Sequence, residues 1–196
     1  AESAFSGFIA AVKMINLSGC PLTGATMNDY GKWINIDSDM TGFIALCGVL
    51  GKLHEINMSE CGLGAASAGE FAKAVSDAEA ALTMACVIGN PIGSDGAKLL
   101  IEVFDSHPKL QSLCGISPGS TTVDLSKSNM GPADCLILTH ELQAGRATAA
   151  LEAVNLDDDY IDASGFKTVV ESAVSVKHLS VSGNPICCTG ISTERP

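Results

Sequence analysis

The chain has 196 residues, a net charge of −11 and a sequence pI of about 4.6. That length suits one full core or one compact repeat array, and an acidic surface repels phosphate backbones, which argues against nucleic acid as a partner. The longest apolar stretches, such as residues 43–50, fall well short of the roughly 20 residues that a membrane-spanning helix needs.

In chain order, residues 1–11 read as a helix. A pattern then begins in which apolar residues recur at fixed offsets, followed by a small polar residue and a further apolar one. Val12, Ile15, Leu17, Cys20 and Leu22 form the first copy. A copy one residue short surrounds Ile34, Ile36 and Met40, and Phe43, Leu46, Cys47 and Leu50 follow it at helical spacing. Leu53, Ile56, Met58, Cys61 and Leu63 come next, with Ala68, Phe71, Ala72 and Val75 as the helical face. Leu82, Ala85, Val87, Asn90 and Ile92 precede Ala97, Leu100, Ile101 and Phe104. Ser120, Val123, Leu125, Ser128 and Met130 precede Cys135, Leu138, Thr139 and Leu142. Leu151, Val154, Leu156, Asp159 and Ile161 precede Phe166, Val169, Val170 and Ala173. Val176, Leu179, Val181, Asn184 and Ile186 form the last copy. The alternating start of each unit predicts a short strand, and the 3- and 4-residue spacing after it predicts a helix. Ser94 and Asp95 are suited to cap one helix, and Pro132 to the first turn of another.

These units, and the tag shared by Ser18-Gly19-Cys20-Pro21-Leu22, Ile88-Gly89-Asn90-Pro91-Ile92 and Ser182-Gly183-Asn184-Pro185-Ile186, resemble the leucine-rich repeat family. The likeness is to its ribonuclease-inhibitor-like class, in an algal or protist type. It implies an α/β fold: a single solenoid over residues 1–196 of about seven units, a right-handed βα horseshoe arc with parallel strands concave and helices convex. The position held by Cys20, Cys61, Asn90, Ser128, Asp159 and Asn184 resembles the family's asparagine ladder, whose side chains satisfy backbone groups in the turn after each strand. A cysteine does this only weakly, so a looser ladder is expected in the early units.

Unit starts at Leu53 and Leu82 are 29 residues apart, whereas Leu82 and Ser120 are 38 apart, which places an insertion of about nine residues near 108–119. It reads either as a tolerated loop or as a protrusion that contacts a partner. The N-terminal helix and the tail Thr193-Glu194-Arg195-Pro196 show no polar cap, which suggests ends covered by a partner or a longer protein.

Chemistry is sparse. Gly115-Ile116-Ser117-Pro118-Gly119 fits the serine-hydrolase elbow, but the elbow needs a strand before it and a helix after it, the reverse of this context. Gly89–Lys98 lacks phosphate-loop spacing, and the sequons at Asn16 and Asn57 fall inside strands. Asp157-Asp158-Asp159 offers too few oxygens for calcium, and Cys187, Cys188 and His178 lack a zinc spacing. No catalytic residue, metal or cofactor is expected. Of the eight cysteines, Cys20 and Cys61 hold one repeat position and Cys47 and Cys135 another, as small buried residues do, and only adjacent Cys187 and Cys188 look unusual; this favours reduced thiols and an intracellular setting: cytoplasm, or an organelle such as a plastid if a transit peptide was removed.

The outward strand positions form columns. One reads Met14, Trp33, Glu55, Met84, Thr122, Ala153, His178; the next reads Asn16, Asn35, Asn57, Cys86, Asp124, Asn155, Ser180. Met14, Trp33, Glu55, Met84, Asn35, Asn57, Asp124 and His178 are the candidate protein-binding residues, with Trp33 and the two methionines as an anchor. Trp33 also reads as a cover over a thin N-terminal unit. The expected function is a non-enzymatic interaction or scaffold module in a larger assembly. A regulatory inhibitor or GTPase-regulating module is the first alternative and an enzyme the second.

Overall fold

The computed structural model describes residues 12–77 and 81–186; the helix expected over residues 1–11, the pair Cys187 and Cys188 and the C-terminal tail lie outside them. The chain is α/β, with short strands and, among the described residues, five α-helices. The strands are β1 (Met14–Asn16), β2 (Thr26–Met27), β3 (Trp33–Ile34), β4 (Glu55–Asn57), β5 (Met84–Cys86), β6 (Thr122–Asp124), β7 (Ala153–Asn155) and β8 (His178–Ser180). The helices are α1 (Thr41–Cys47), α2 (Ala65–Asp77), α3 (Gly93–Ser106), α4 (Pro132–Ala144) and α5 (Ala163–Ser172), with a 3-10 turn at Leu50–Lys52.

Two small parallel sheets run in the orders β1-β4-β5 and β6-β7-β8. Their register aligns equivalent positions: Ile15, Ile56 and Ala85 in one sheet, Val123, Val154 and Leu179 in the other. Strand alternation turns those residues inward and their neighbours outward. The inward residues join one hydrophobic core with Phe71, Leu100, Leu138 and Val169 from α2 to α5, which pack on one another in chain order. Three-residue strands and single amphipathic helices cannot bury an apolar face alone, so the core forms between units.

Helix starts follow local chemistry. Pro132 opens α4, and Asp162 caps α5 by accepting from the Gly165 N–H at 2.8 Å. Ser94 and Asp95 do not cap α3: the residue before the helix is Ile92, and Asp95 instead pairs with Lys98 inside the first turn at 3.1 Å.

The short unit departs from the strand pattern. β1 pairs directly with β4, and residues 26–34 form an antiparallel hairpin, β2 with β3. An Asn28 turn drives it: the side chain accepts from the Tyr30 and Lys32 N–H groups while the Asn28 carbonyl accepts from Gly31. Trp33 and Asn35 therefore leave the column that aligns Met14, Glu55 and Met84. Trp33 is half-buried against Gly62, where an added Cβ would lie 3.0 Å from the indole and 2.5 Å from the Ala25 Cβ. Gly62 also has φ of +71°, so glycine answers both demands.

Candidate functional site

The outward row of the first sheet is Met14, Glu55 and Met84; an isolated bridge aligns Met84 with Ser112, which is buried. The second sheet carries Thr122, Ala153 and His178 in its own row. Met14 is 64% exposed, Glu55 and Met84 are half-buried, and Thr122 and His178 are exposed. The structure thus brings together Met14, Glu55 and Met84, and places Trp33, Asn35 and His178 elsewhere.

The neighbouring row has a local task that the columns alone do not reveal. The Asn16, Asn57, Asp124 and Asn155 side chains each accept from the backbone N–H two residues on, at 2.9–3.0 Å. These turns close the exits of β1, β4, β6 and β7, and the recurring Asn/Asp-x-Ser/Asp spacing is the signal for them. Asn35 makes no such turn; its φ is +53° and its amide donates to the Thr26 hydroxyl at 3.2 Å. Asp37, from the same hairpin unit, accepts from the Gly64, Ala66 and Ser67 N–H groups and so caps α2 from outside, a role its strand-like position did not suggest.

Behind the strand exits lie the ladder positions. Asn90 Oδ1 accepts from Cys61 and Leu63 N–H at 2.8 and 3.0 Å, and its Nδ2 donates to the Met58 and Val87 carbonyls at 2.7 and 2.9 Å. Asn184 likewise accepts from Ile161 N–H and donates to Leu156 and Val181. Cys61 reaches back to the Leu17 carbonyl at 3.0 Å through a thiol, a weaker donor. Asp159 accepts from Met130 N–H at 3.0 Å. Cys20 is exposed, and no side-chain bond is found at Ser128 among the described residues.

The insertion is where the pattern is interrupted. Leu110, Ser112, Leu113, Cys114 and Ile116 are at most 2% exposed, so its centre is internal, while Pro108, Lys109 and the tip at 117–119 are exposed. Its backbone adds to the edge of β5: Ala85 N–H donates to Ser112 and Val87 N–H to Leu113, while Gly115 N–H returns to Ala85. Glu141 of α4 accepts from the Ser112 hydroxyl at 2.8 Å and from the Leu113 and Cys114 N–H groups. Asp134 accepts from Gly89 and Gly131 N–H at 3.1 and 2.9 Å. Burial pushes both carboxyls up to about 7, against the pull of those donors. Arg146 donates to the Phe104, His107 and Leu110 carbonyls at the end of α3 and stacks 4.1 Å from the Phe104 ring centre. His140 meets Asp105 at 2.7 Å beside the same ring.

The remaining chemistry is structural. The Cys61 and Cys86 thiols are pushed up to about 11 and Cys135 to about 12, all chiefly by burial, which keeps them protonated and poor nucleophiles. Cys20, Cys47, Cys61, Cys86, Cys114 and Cys135 are free. Asp157, Asp158 and Asp159 diverge: Asp157 accepts from Ser180 and Ser182, Asp158 lies 4.0 Å from Lys127, and Asp159 is buried. No group of three His, Cys, Asp or Glu among the described residues is placed to hold a metal, and no described helix is long and apolar enough to cross a membrane. Ser117 of the elbow-like motif is exposed and is followed by a turn and β6, with no helix behind it. The chain matches no family model and no curated protein.

Proposed function

We propose that the chain is a leucine-rich repeat solenoid of about seven units that works as a non-enzymatic protein-interaction or scaffold module within a larger assembly. The carrying observation is the outward strand row Met14, Glu55 and Met84, held in register on parallel strands that recur behind closed turns. A row of this kind offers a rigid surface at small entropic cost, because the turns and the core fix its backbone before any partner arrives. Its methionines supply adaptable apolar contact, and Glu55 between them supplies orientation. The hydrogen bonds of Asn90 and Asn184, which tie each turn to the preceding unit, support the family reading. That reading places Met14 and Met84 on the concave face; fold alone does not name the partner.

Affinity capture from the native source with mass spectrometry identifies the partner. The Met14→Ala, Met84→Ala double variant is then expected to weaken its binding at least tenfold, against little change for Pro118→Ala at the insertion tip. Unchanged affinity in the double variant with a loss in Pro118→Ala would discard the strand row in favour of the tip.

A further inference from the structure

Among the described residues three buried side-chain polar atoms lack a partner, and only one is a carboxylate oxygen: Oδ2 of Asp159, a residue 1% exposed. Its position explains the anomaly. Asp159 stands 31 residues after Ser128 as Asn90 stands 29 after Cys61 and Asn184 stands 25 after Asp159, all in the same turn of successive units. At Asn90 the oxygen takes the N–H groups of the preceding turn, and the amide nitrogen donates to the preceding strand's carbonyl at Met58. Asn184 repeats both halves, with Ile161 N–H and the Leu156 carbonyl. Asp159 repeats the first half only, accepting from Met130 N–H. Position for position, the carbonyl due to the second half is that of Leu125. An ionised carboxylate there would set an acceptor against an acceptor, away from water.

We propose that Asp159 is a carboxylic acid in the folded protein, with its proton on Oδ2 donated to the Leu125 carbonyl, so that the joint between the 128 and 159 turns is pH-sensitive where the Asn90 and Asn184 joints are not. The surroundings favour the neutral form. Glu60 from the turn after β4, Asp158 from its own turn, and Asp134 with Cys135 from α4 all act on or near this site. Asp162 at the start of α5 adds a further carboxyl, and the cation Lys127 lies 4.0 Å from Asp158. Burial is the main cause of an upward shift of the Asp159 carboxyl to about 6; the Met130 and Ser128 N–H groups pull against it, and the Glu60 and Asp158 charges add to it. The folded state then keeps a proton that the unfolded chain has released. The joint is intact below about pH 4 and loses its donor as pH rises through 6. Over that span the site lowers the folding equilibrium constant by on the order of a hundredfold.

Asp159→Asn tests this, because asparagine supplies the missing donor permanently and already occupies the same place in two other units. The variant is expected to unfold at higher denaturant than wild type, by a margin that widens from pH 5 to pH 8. The Asp159 carboxyl carbon, followed by NMR, is expected to titrate above the ordinary aspartate range. A margin that stays flat with pH, or a carboxyl that titrates near 4, overturns the proposal. Both chains carry Glu141, whereas Asp134 feels the Asp159 charge, so its carboxyl is followed in the same NMR titration.

Discussion

Two junctions between neighbouring units solve one problem differently. Between the β4 and β5 units the backbone does nearly everything: Met58 N–H meets the Cys86 carbonyl, Glu60 N–H meets Ile88, and the neutral Asn90 side chain satisfies what remains. Between the β5 and β6 units the inserted segment wedges in, and the equivalent N–H, that of Gly89, has no backbone acceptor. Asp134 takes it instead, and Glu141 takes the donors of the insertion itself. The β4–β5 junction is closed by uncharged groups already in place, whereas the interrupted one is closed by two buried carboxyls. The inserted segment is accommodated because α4 supplies acceptors for its donors, and those acceptors bring a pH dependence.

Glu141→Ala is the strongest way to break that contrast. It strands two buried donors, those of Ser112 and Leu113, while Cys114 N–H keeps the Ser112 hydroxyl oxygen at 3.1 Å, and a loss of about 3–5 kcal/mol is expected in urea unfolding. Glu141→Gln, which keeps an acceptor, should lose less.

The carboxyls also set a direction with pH. Asp134 and Glu141 are raised to about 7 in the folded state from ordinary values of 3.8 and 4.5. The folded chain therefore binds more protons than the unfolded one between those limits. Their contribution is complete below about pH 4 and is lost as pH rises through 7. The melting temperature should fall from pH 5 to pH 8 in calorimetry. The lowered carboxylates Asp39, Asp124 and Glu152 act in the opposite sense, but below the ordinary carboxylate range, outside this window.

At the regular junction, Asn90→Ala removes four hydrogen bonds at once and leaves the Cys61 and Leu63 N–H groups buried without acceptors. A loss of about 2–3 kcal/mol is expected, with little change of slope between pH 5 and pH 8. If Asn90→Ala proved as pH-dependent as wild type is at the interrupted junction, the division between neutral and ionisable closures would fail.

Much of this was legible in the sequence. The α/β class followed from apolar offsets that switch period within each unit, because both strand and helix bury their faces in one core. The equivalence of positions 90 and 184 stood in a repeated tag. The hairpin at 26–34 was not legible as such: Trp33 and Ile34 alternate like a strand of the main sheet, and the Asn28 turn that diverts them acts through side-chain bonds that periodicity does not register. Nor was the role of Asp134 and Glu141, which sit in a helix whose polar positions look like solvent-facing ones until the insertion folds beneath them. The insertion itself read as a loop because its apolar residues, Leu110, Leu113 and Ile116, follow neither period.

The smallest effect sharpens the contrast most. Ser128 occupies the ladder position at the interrupted junction, and a Cβ added at Gly89 would overlap its carbonyl oxygen, so the two turns are in close contact. By the register of Asn90, a longer side chain at 128 would seek the Asn90 and Ile92 N–H groups; Ile92 N–H already bonds to the Asn90 carbonyl, and the adjoining Gly89 N–H is held by Asp134. Ser128→Asn, which would look like a repair of the ladder on sequence grounds, is therefore expected to change stability by less than about 0.5 kcal/mol. The same substitution made in an Asp134→Ala background, where Gly89 N–H is released, should instead recover part of what that variant loses. Additivity of the two changes in a double-mutant cycle would mean that position 128 cannot reach its neighbour, and that Asp134 closes a gap the ladder could never have spanned.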